Sequence, residues 1–141
     1  MRTIWWDNGH VMMIDQRILP LELTVLSYSD FREVAHAITD MVIRGAPAIG
    51  IAAAMGVVVG IRDVSPQAPE AQLFAKLHQA ANHLATSRPT AVNLRWALDE
   101  MRKVLAPLPP DDRAAAAYAH AASLAEDDVD MCRRIGLNGL E

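Results

Sequence analysis

The first thirty residues alternate between apolar and polar side chains with the period of two that is typical of β-strands. Strands are predicted at residues 3–6, 10–15 and 21–28, the last with its odd-numbered apolar residues facing the core. Asn8-Gly9, between the first two strands, tolerates the positive φ of a tight hairpin turn. Trp5 and Trp6 are adjacent on the first strand and should point to opposite faces. We expect a small antiparallel sheet here.

From residue 30 onward the apolar positions recur every three or four residues, which is the period of an α-helix. Amphipathic helices are predicted at residues 30–43, 70–87, 90–105 and from 111 to about 136. Asp30 or Ser29 is suited to cap the first helix, and the acidic residues at 126–130 could interrupt the last. Strands do not alternate with helices, so no parallel sheet is expected. The predicted fold class is mainly α with a small N-terminal antiparallel β-sheet (α+β).

Residues 47–61 are apolar around the whole helix circumference and predict a buried helix. The uncharged run from Gly45 to Ile61 contains 17 residues, whereas a membrane span needs about 20. We therefore expect the central core helix of a soluble domain. Gly56 and Gly60 are four residues apart on one helix face, where they would let a neighbouring helix approach closely.

The composition fits one globular domain. Of the 141 residues, 52% are apolar and 21% are charged, unlike the composition of disordered chains. We expect a single domain over residues 1–141, with the sheet at about 3–28 and a helical bundle at about 30–136.

The charge and the single cysteine narrow the function classes. Lys and Arg number 13 and Asp and Glu number 17, a net charge of −4, which gives no general attraction to nucleic acid or to an anionic membrane. Cys132 is the only cysteine, so neither a disulfide framework nor a zinc cluster is expected. The N-terminus does not resemble a secretory signal. We expect a cytoplasmic protein.

The segment Arg44-Gly45-Ala46-Pro47 has the features of an anion site. Pro47 suits the start of a helix because it has no N–H to leave unpaired. The small Gly45 and Ala46 would expose backbone N–H groups at the positive end of that helix, and Arg44 adds a guanidinium that can pair with phosphate or carboxylate. The alternative interpretation is a surface arginine beside a tight helix start.

Residues 87–94 repeat this arrangement. Ser87 or Thr90 could cap the next helix, Pro89 could begin it, and Arg88 would lie at its positive end. Two such arginines could converge on one phosphate, although spacing alone favours a well-capped helix. Asn93, one turn into the helix, is expected to be structural.

The remaining polar candidates are weaker. His78 and His83 lie about 140° apart around a helix rather than on one metal-binding face. Cys132 is expected to be a half-buried helix thiol rather than a nucleophile. The acidic residues at 126–130 are expected to form a solvated helix face rather than a cation site.

Three motifs carry a resemblance to a known family. They are IDQRILP at residues 14–20, MVIRGAPAIGIAAAMG at 41–56 and SRPTAVNLRWAL at 87–98. In this order they resemble the N-terminal domain of the methylthioribose-1-phosphate isomerase family, over essentially the whole chain. The wider superfamily includes ribose-1,5-bisphosphate isomerase and the regulatory subunits of translation initiation factor 2B.

The resemblance implies that Arg44, Gly45, Ala46 and Arg88 bind the substrate. The family converts 5-methylthioribose 1-phosphate to 5-methylthioribulose 1-phosphate in methionine salvage, with no metal or organic cofactor. It also implies that the catalytic cysteine and aspartate belong to a C-terminal Rossmann-like domain beyond these residues. We therefore expect an N-terminal fragment that is inactive alone.

The expected partners are a sugar phosphate and that C-terminal domain, with no nucleic acid and no membrane, and a homodimer stays open. Two alternatives remain. One is a fragment of a ribose-1,5-bisphosphate isomerase, and the other is a regulatory or interaction module like the alpha subunit of initiation factor 2B. Arg88 favours an enzyme, because a scaffold has less need of a second arginine at a helix start.

Overall fold

A computed structural model describes residues 1–140. Three strands come first: β1 (Ile4–Asp7), β2 (His10–Ile14) and β3 (Val25–Tyr28). Five helices follow: α1 (Phe31–Thr39), α2 (Ala46–Ile61), α3 (Glu70–Ser87), α4 (Val92–Leu105) and α5 (Pro110–Asn138). The predicted fold class is confirmed, since the fold is mostly helical with one small antiparallel sheet.

The predicted hairpin is present. Strands β1, β2 and β3 lie in that order, and both neighbouring pairs are antiparallel. Asn8 and Gly9 have φ values of 46° and 82°, which a two-residue primed turn requires. Trp6 packs on the core, edge-to-face with Tyr118 of α5 at 5.6 Å between ring centroids, whereas Trp5 lies on the opposite face of the strand.

The prediction for the third strand is wrong at its start. The strand begins at Val25 rather than at residue 21, because residues 18–22 form a hydrogen-bonded turn. The partner strand also ends there, since the Gln16 N–H leaves the sheet and donates to the Val42 carbonyl.

The prediction for the buried face of this strand is also wrong. Leu23 and Val25 are exposed, while Leu26 and Tyr28 pack against the core. The reason is the register: Leu26 pairs with Met13 and Tyr28 pairs with Val11. Met13 and Val11 both belong to the hydrophobic core, and paired residues share a face of the sheet.

Helix α1 begins as predicted and ends four residues early. Asp30 caps it in a capping box with Glu33. At its C-terminus Met41 adopts a φ of 59°, and the Val42 N–H donates to the Ala37 carbonyl. This is the pattern of a Schellman cap, which stops the helix while the following apolar residues stay buried.

Helix α2 is the central helix of the bundle, as predicted. It contacts all four other helices, and every residue from Ile49 to Val59 is buried. Gly56 and Gly60 both face α3, so the predicted close approach of a neighbouring helix is confirmed. Within residues 1–140, no helix has the length and apolar character needed to cross a membrane.

Helix α5 runs from Pro110 to Asn138 without the interruption that the acidic residues at 126–130 suggested. Arg2 and Arg134 pair with the first and last of these acidic residues and offset their charge. The α5 side chains contact the core only as far as Ala125, and the residues beyond 128 are exposed.

Candidate functional site

An open groove of about 400 Å³ lies where the N-terminal ends of α2 and α4 meet. We call it the arginine groove. Its lining residues come from the start of α2, from the connection between α3 and α4, and from the start of α4: Gly45, Ala46, Ile49, Arg88, Thr90, Ala91, Val92 and Asn93. The groove therefore combines residues from both segments that the sequence singled out.

The α2 side of the groove is a helix N-terminus without a side-chain cap. Gly45 is the N-cap residue with a φ of 97° and a ψ of 135°, and its carbonyl accepts the Ile49 N–H. Pro47 is the second helical residue rather than the first. The first-turn N–H groups have no partner within the helix, and this turn contains no acidic residue. This wall therefore presents positive partial charge.

The other side of the groove differs from the prediction. Helix α4 begins at Val92 with Ala91 as N-cap, and no side chain caps it. Ser87 instead ends α3, where its hydroxyl donates to the Leu84 carbonyl. Arg88 is the C-cap residue of α3, in a turn closed by the Ala91 N–H donating to the Arg88 carbonyl at 3.0 Å. The predicted caps and Pro89 as helix start are therefore wrong, but Arg88 still lies beside the start of α4.

The two helix ends are close because Gly50 lacks a side chain. A Cβ atom at this position would lie 3.0 Å from the Asn93 carbonyl oxygen. The Gly50 backbone thus packs directly on the first turn of α4. The sequence-based interpretation missed this contact, although a glycine one turn after Ala46 in an otherwise apolar helix was a usable signal.

Within residues 1–140, no ion pair neutralises the positive charge of the groove. Ion pairs in residues 1–140 occupy eight other basic residues: Arg2, Arg17, Arg32, Arg62, Arg102, Lys103, Arg113 and Arg134. In the same part of the chain, neither Arg44 nor Arg88 has a carboxylate partner. Arg88 is half-buried in the groove wall, whereas Arg44 is exposed and precedes the lining residue Gly45 without lining the groove itself.

The structure therefore brings Gly45, Ala46 and Arg88 together and leaves Arg44 at the rim. None of the lining residues is acidic. Two helix N-termini and a guanidinium supply hydrogen-bond donors and positive charge at one place, which is the chemistry that binds an anion such as a phosphate.

A second and larger groove, of about 570 Å³, adjoins the first between α2, α4 and α5. We call it the apolar groove. It shares Val92 and Asn93 with the arginine groove, and the rest of its lining is mostly apolar: Pro47, Gly50, Ile51, Trp96, Leu124, Asp127, Asp128 and Met131. The two grooves form one continuous surface that is cationic at one end and mostly apolar, with two carboxylates, at the other.

Trp96 and two carboxylates give the apolar groove its character. Trp96 is 51% exposed, and the sequence-based interpretation missed it, although a tryptophan outside the apolar stripe of α4 was a signal. Asp127 and Asp128 were predicted to form a solvated face. Asp127 is exposed and Asp128 half-buried. Both are helical and also line this open groove, because the uninterrupted α5 carries them past the start of α4.

The other candidate residues do not assemble into a site. Among residues 1–140, no three His, Cys, Asp or Glu side chains are grouped so that they could hold a metal ion. His83 packs edge-to-face on Phe31 at 5.7 Å, and His78 is exposed. Cys132 is exposed rather than half-buried as predicted, because it lies beyond Ala125, the last core residue of α5.

The IDQRILP segment, residues 14–20, is hydrogen-bonded to the chain just before Arg44. The buried Asp15 carboxylate accepts hydrogen bonds from the Arg17 Nε at 2.9 Å and Nη2 at 2.7 Å. These bonds lower the pKa of Asp15, against the opposing effect of burial. The intervening Gln16 N–H donates to the Val42 carbonyl at 3.0 Å, which ties this segment to the chain two residues before Arg44.

Comparison with known proteins identifies relatives of similar sequence. Methylthioribose-1-phosphate isomerase of Cereibacter sphaeroides is 48% identical over 139 residues, and that of Rhodospirillum centenum is 46% identical over 143 residues. Each match covers 99% of this chain and 36% of the relative. The chain thus spans about a third of the length of these curated relatives.

Two solved structures share the fold. The 5-methylthioribose 1-phosphate isomerase of Pyrococcus horikoshii superposes with a TM-score of 0.85 at 37% identity, covering 91% of this chain and 36% of that chain. The delta subunit of translation initiation factor eIF-2B from A. fulgidus gives a TM-score of 0.83 at 35% identity, covering 92% and 38%. Residues 42–141 match the model of the initiation factor 2 subunit family. Because this match covers well over half of the chain, the chain belongs to the initiation factor 2 subunit family.

Proposed function

We propose that this chain is the N-terminal, phosphate-binding part of an isomerase that converts 5-methylthioribose 1-phosphate to 5-methylthioribulose 1-phosphate. The observation that carries the proposal is the arginine groove, where two uncapped helix N-termini and the unpaired Arg88 meet. The similar proteins named methylthioribose-1-phosphate isomerase supply the reaction. Within this proposal the protein acts in methionine salvage in the cytoplasm, and a C-terminal domain completes the cleft.

The phosphate would be held by several donors at once. Backbone N–H groups of the first turns of α2 and α4 would contact different oxygens, and Arg88 would add a charged pair from the wall. Arg44 would extend over the bound phosphate from its position beside Gly45. Each charge-assisted hydrogen bond of this kind contributes about 1.5–3 kcal/mol.

The second groove favours a sugar monophosphate with an apolar substituent over a bisphosphate. A ligand anchored in the arginine groove would extend past Asn93 toward Trp96 and Met131, which line the adjoining apolar groove. There an apolar group such as methylthio finds apolar contacts, whereas a second phosphate would meet Asp127 and Asp128 and be repelled. We therefore prefer 5-methylthioribose 1-phosphate to ribose 1,5-bisphosphate as the ligand.

The chain itself would bind and orient the substrate. Interconversion of an aldose and a ketose moves a proton between neighbouring carbons, which requires a positioned acid and base in a site shielded from water. The arginine groove has no Asp, Glu, His or Cys in its lining. We place the proton transfer in the C-terminal domain and expect no turnover by this chain alone. No metal or organic cofactor enters the proposal.

The test is calorimetric titration of the 141-residue chain with inorganic phosphate and with 5-methylthioribose 1-phosphate. Arg88→Ala should weaken both affinities by about tenfold, the effect of losing about 1.4 kcal/mol, and Arg44→Ala should weaken them less. Arg133→Ala is the matched control, because Arg133 is exposed on α5 and lines neither groove. Absence of binding, or equal binding by Arg88→Ala, would overturn the proposal.

A second candidate function is subunit association without catalysis. It is favoured by the superposition on the delta subunit of eIF-2B from A. fulgidus. A module of this kind would associate with other subunits, and Arg88→Ala would leave that association unchanged. Sedimentation of the chain over a range of concentrations, with and without phosphate, separates the two candidate functions. Association that is unchanged by phosphate and by Arg88→Ala favours the second candidate.

A further inference from the structure

Asn93 occupies the place where the two grooves meet. It lines both the arginine groove and the apolar groove, and it is half-buried as the second residue of α4. A ligand that reaches from the helix N-termini to Trp96 must therefore pass beside it. The central part of a phosphorylated sugar, with its hydroxyl groups, would lie at this point.

The Asn93 backbone is tightly packed, whereas the side-chain amide of Asn93 has no structural role. The Gly50 backbone packs against the Asn93 carbonyl, leaving no room for a Cβ. Helix α4 has no side-chain cap, so the amide does not serve the helix start. Within residues 1–140 the side-chain amide of Asn93 makes no hydrogen bond with another residue, and it does not belong to the buried polar groups that lack a partner. The structural role predicted from the sequence is therefore wrong, and the amide is open to a ligand.

The chemistry of an amide suits a sugar hydroxyl better than a phosphate. The side chain carries one acceptor oxygen and two N–H donors, and a hydroxyl both donates and accepts. A phosphate dianion mainly accepts, and Arg88 and the backbone N–H groups already provide donors for it. Because the amide is neutral, it adds no attraction for anions in general.

We infer that Asn93 binds a hydroxyl of the sugar and so distinguishes a sugar phosphate from phosphate itself. This rests on the proposed function, since it takes the arginine groove as the phosphate site. It assigns to Asn93 the part of the affinity that depends on the sugar. The phosphate-dependent part stays with Arg88 and the two helix ends.

The experiment compares inorganic phosphate with 5-methylthioribose 1-phosphate by calorimetric titration of the wild-type chain and of Asn93→Ala. The variant should lose about tenfold in affinity for the sugar phosphate, about 1.4 kcal/mol, and bind inorganic phosphate as the wild type does. Asn138→Ala is the matched control, because Asn138 is an exposed helical asparagine far along α5. It should change neither affinity.

A second variant keeps the side-chain shape. Asn93→Asp replaces the amide by a carboxylate of the same size, and it should weaken the binding of both ligands because the new charge repels phosphate. Circular dichroism of each variant establishes that α4 is intact.

The outcomes separate the two proposals. If the wild type binds neither ligand, the proposed function fails. If the wild type binds both, but Asn93→Ala lowers both affinities equally or lowers neither, the role of Asn93 fails while the phosphate site stands.

Discussion

Gly60 of α2 and Ala80 of α3 are so close that a Cβ atom on the glycine would lie 2.7 Å from the Cβ of the alanine. Gly56, one turn earlier, would meet Leu84 in the same way at 2.9 Å. Neither helix can move away freely, since α2 is surrounded by the other helices. The spacing of these two glycines therefore fixes the distance between α2 and α3.

Replacing Gly60 with alanine should destabilise the protein. The added methyl group overpacks the contact with Ala80 and should lower the free energy of unfolding by about 1–3 kcal/mol, despite the better helix propensity of alanine. Urea denaturation followed by circular dichroism measures it. In the matched control Gly136→Ala, an added Cβ meets nothing within 4 Å, so that variant should gain up to about 1 kcal/mol. Equal effects in the two variants would contradict the packing argument.

Replacing Arg113 should destabilise the protein, although Arg113 lies near the start of α5 among exposed residues. Its guanidinium is buried, donates to the Leu105 carbonyl at 3.0 Å and pairs with Glu70 at 2.7 Å, and it lies over the Phe74 ring. Arg113→Ala should lower the free energy of unfolding by about 2–4 kcal/mol, because packing and hydrogen bonds are lost together.

The control for Arg113 is Arg134→Ala, which removes an exposed ion pair with Asp130 on the same helix. Such pairs contribute at most about 1 kcal/mol. Thermal denaturation of both variants distinguishes a buried anchor from a surface charge, and a loss of similar size in the two variants would refute the role of Arg113 as an anchor.

The pair formed by Asp15 and Arg17 should make stability depend on acid pH. The hydrogen bonds from Arg17 lower the pKa of Asp15 in the folded chain. The stabilisation is therefore present above the pKa of the unfolded chain, about 4, and is lost as the pH falls through the lower folded pKa. The stability difference between the wild type and Asp15→Asn should be constant from pH 7 to 5 and shrink below pH about 4.

The exposed pair of Glu126 with Arg2 provides the comparison, because Arg2 also lowers the pKa of Glu126. The difference between the wild type and Glu126→Gln should follow the same direction with pH, but it should largely vanish in 1 M salt, which screens exposed charges. The Asp15 difference should persist in salt, since that carboxylate is buried. Chemical denaturation at a series of pH values measures both.

A glycine should be required at position 45 because of its backbone conformation, and not because a side chain would lack room. An added Cβ there meets nothing within 4 Å, yet φ is 97° with ψ at 135°, a combination that only glycine adopts readily. Gly45→Ala should therefore cost about 1–3 kcal/mol in stability and, by shifting the start of α2, weaken phosphate binding. Urea denaturation and phosphate titration test the two parts. Unchanged stability would mean that the loop accepts another conformation at no cost.

The fold class and most element positions follow from local patterns. The apolar run before Arg62 requires a buried helix whatever surrounds it, and Asn8-Gly9 and Asp30 specify a turn and a cap through their own chemistry. The start of β3 could not be predicted in this way, because it depends on where β2 stops offering hydrogen bonds. The end of α1 was hidden likewise, since Met41 in a left-handed conformation leaves no trace in a residue pattern.

For the candidate site, local sequence patterns are enough to identify the chemistry. Arg44, Gly45, Ala46 and Arg88 stand out from their neighbours, because small residues and arginines at helix ends offer donors to an anion wherever they occur. The arrangement of these residues depends on how the helices pack. Packing places the Arg88 turn beside the start of α2 across Gly50, leaves Arg44 at the rim and brings the apolar groove alongside. No local pattern encodes this arrangement, because the segments that meet lie about forty residues apart in the chain.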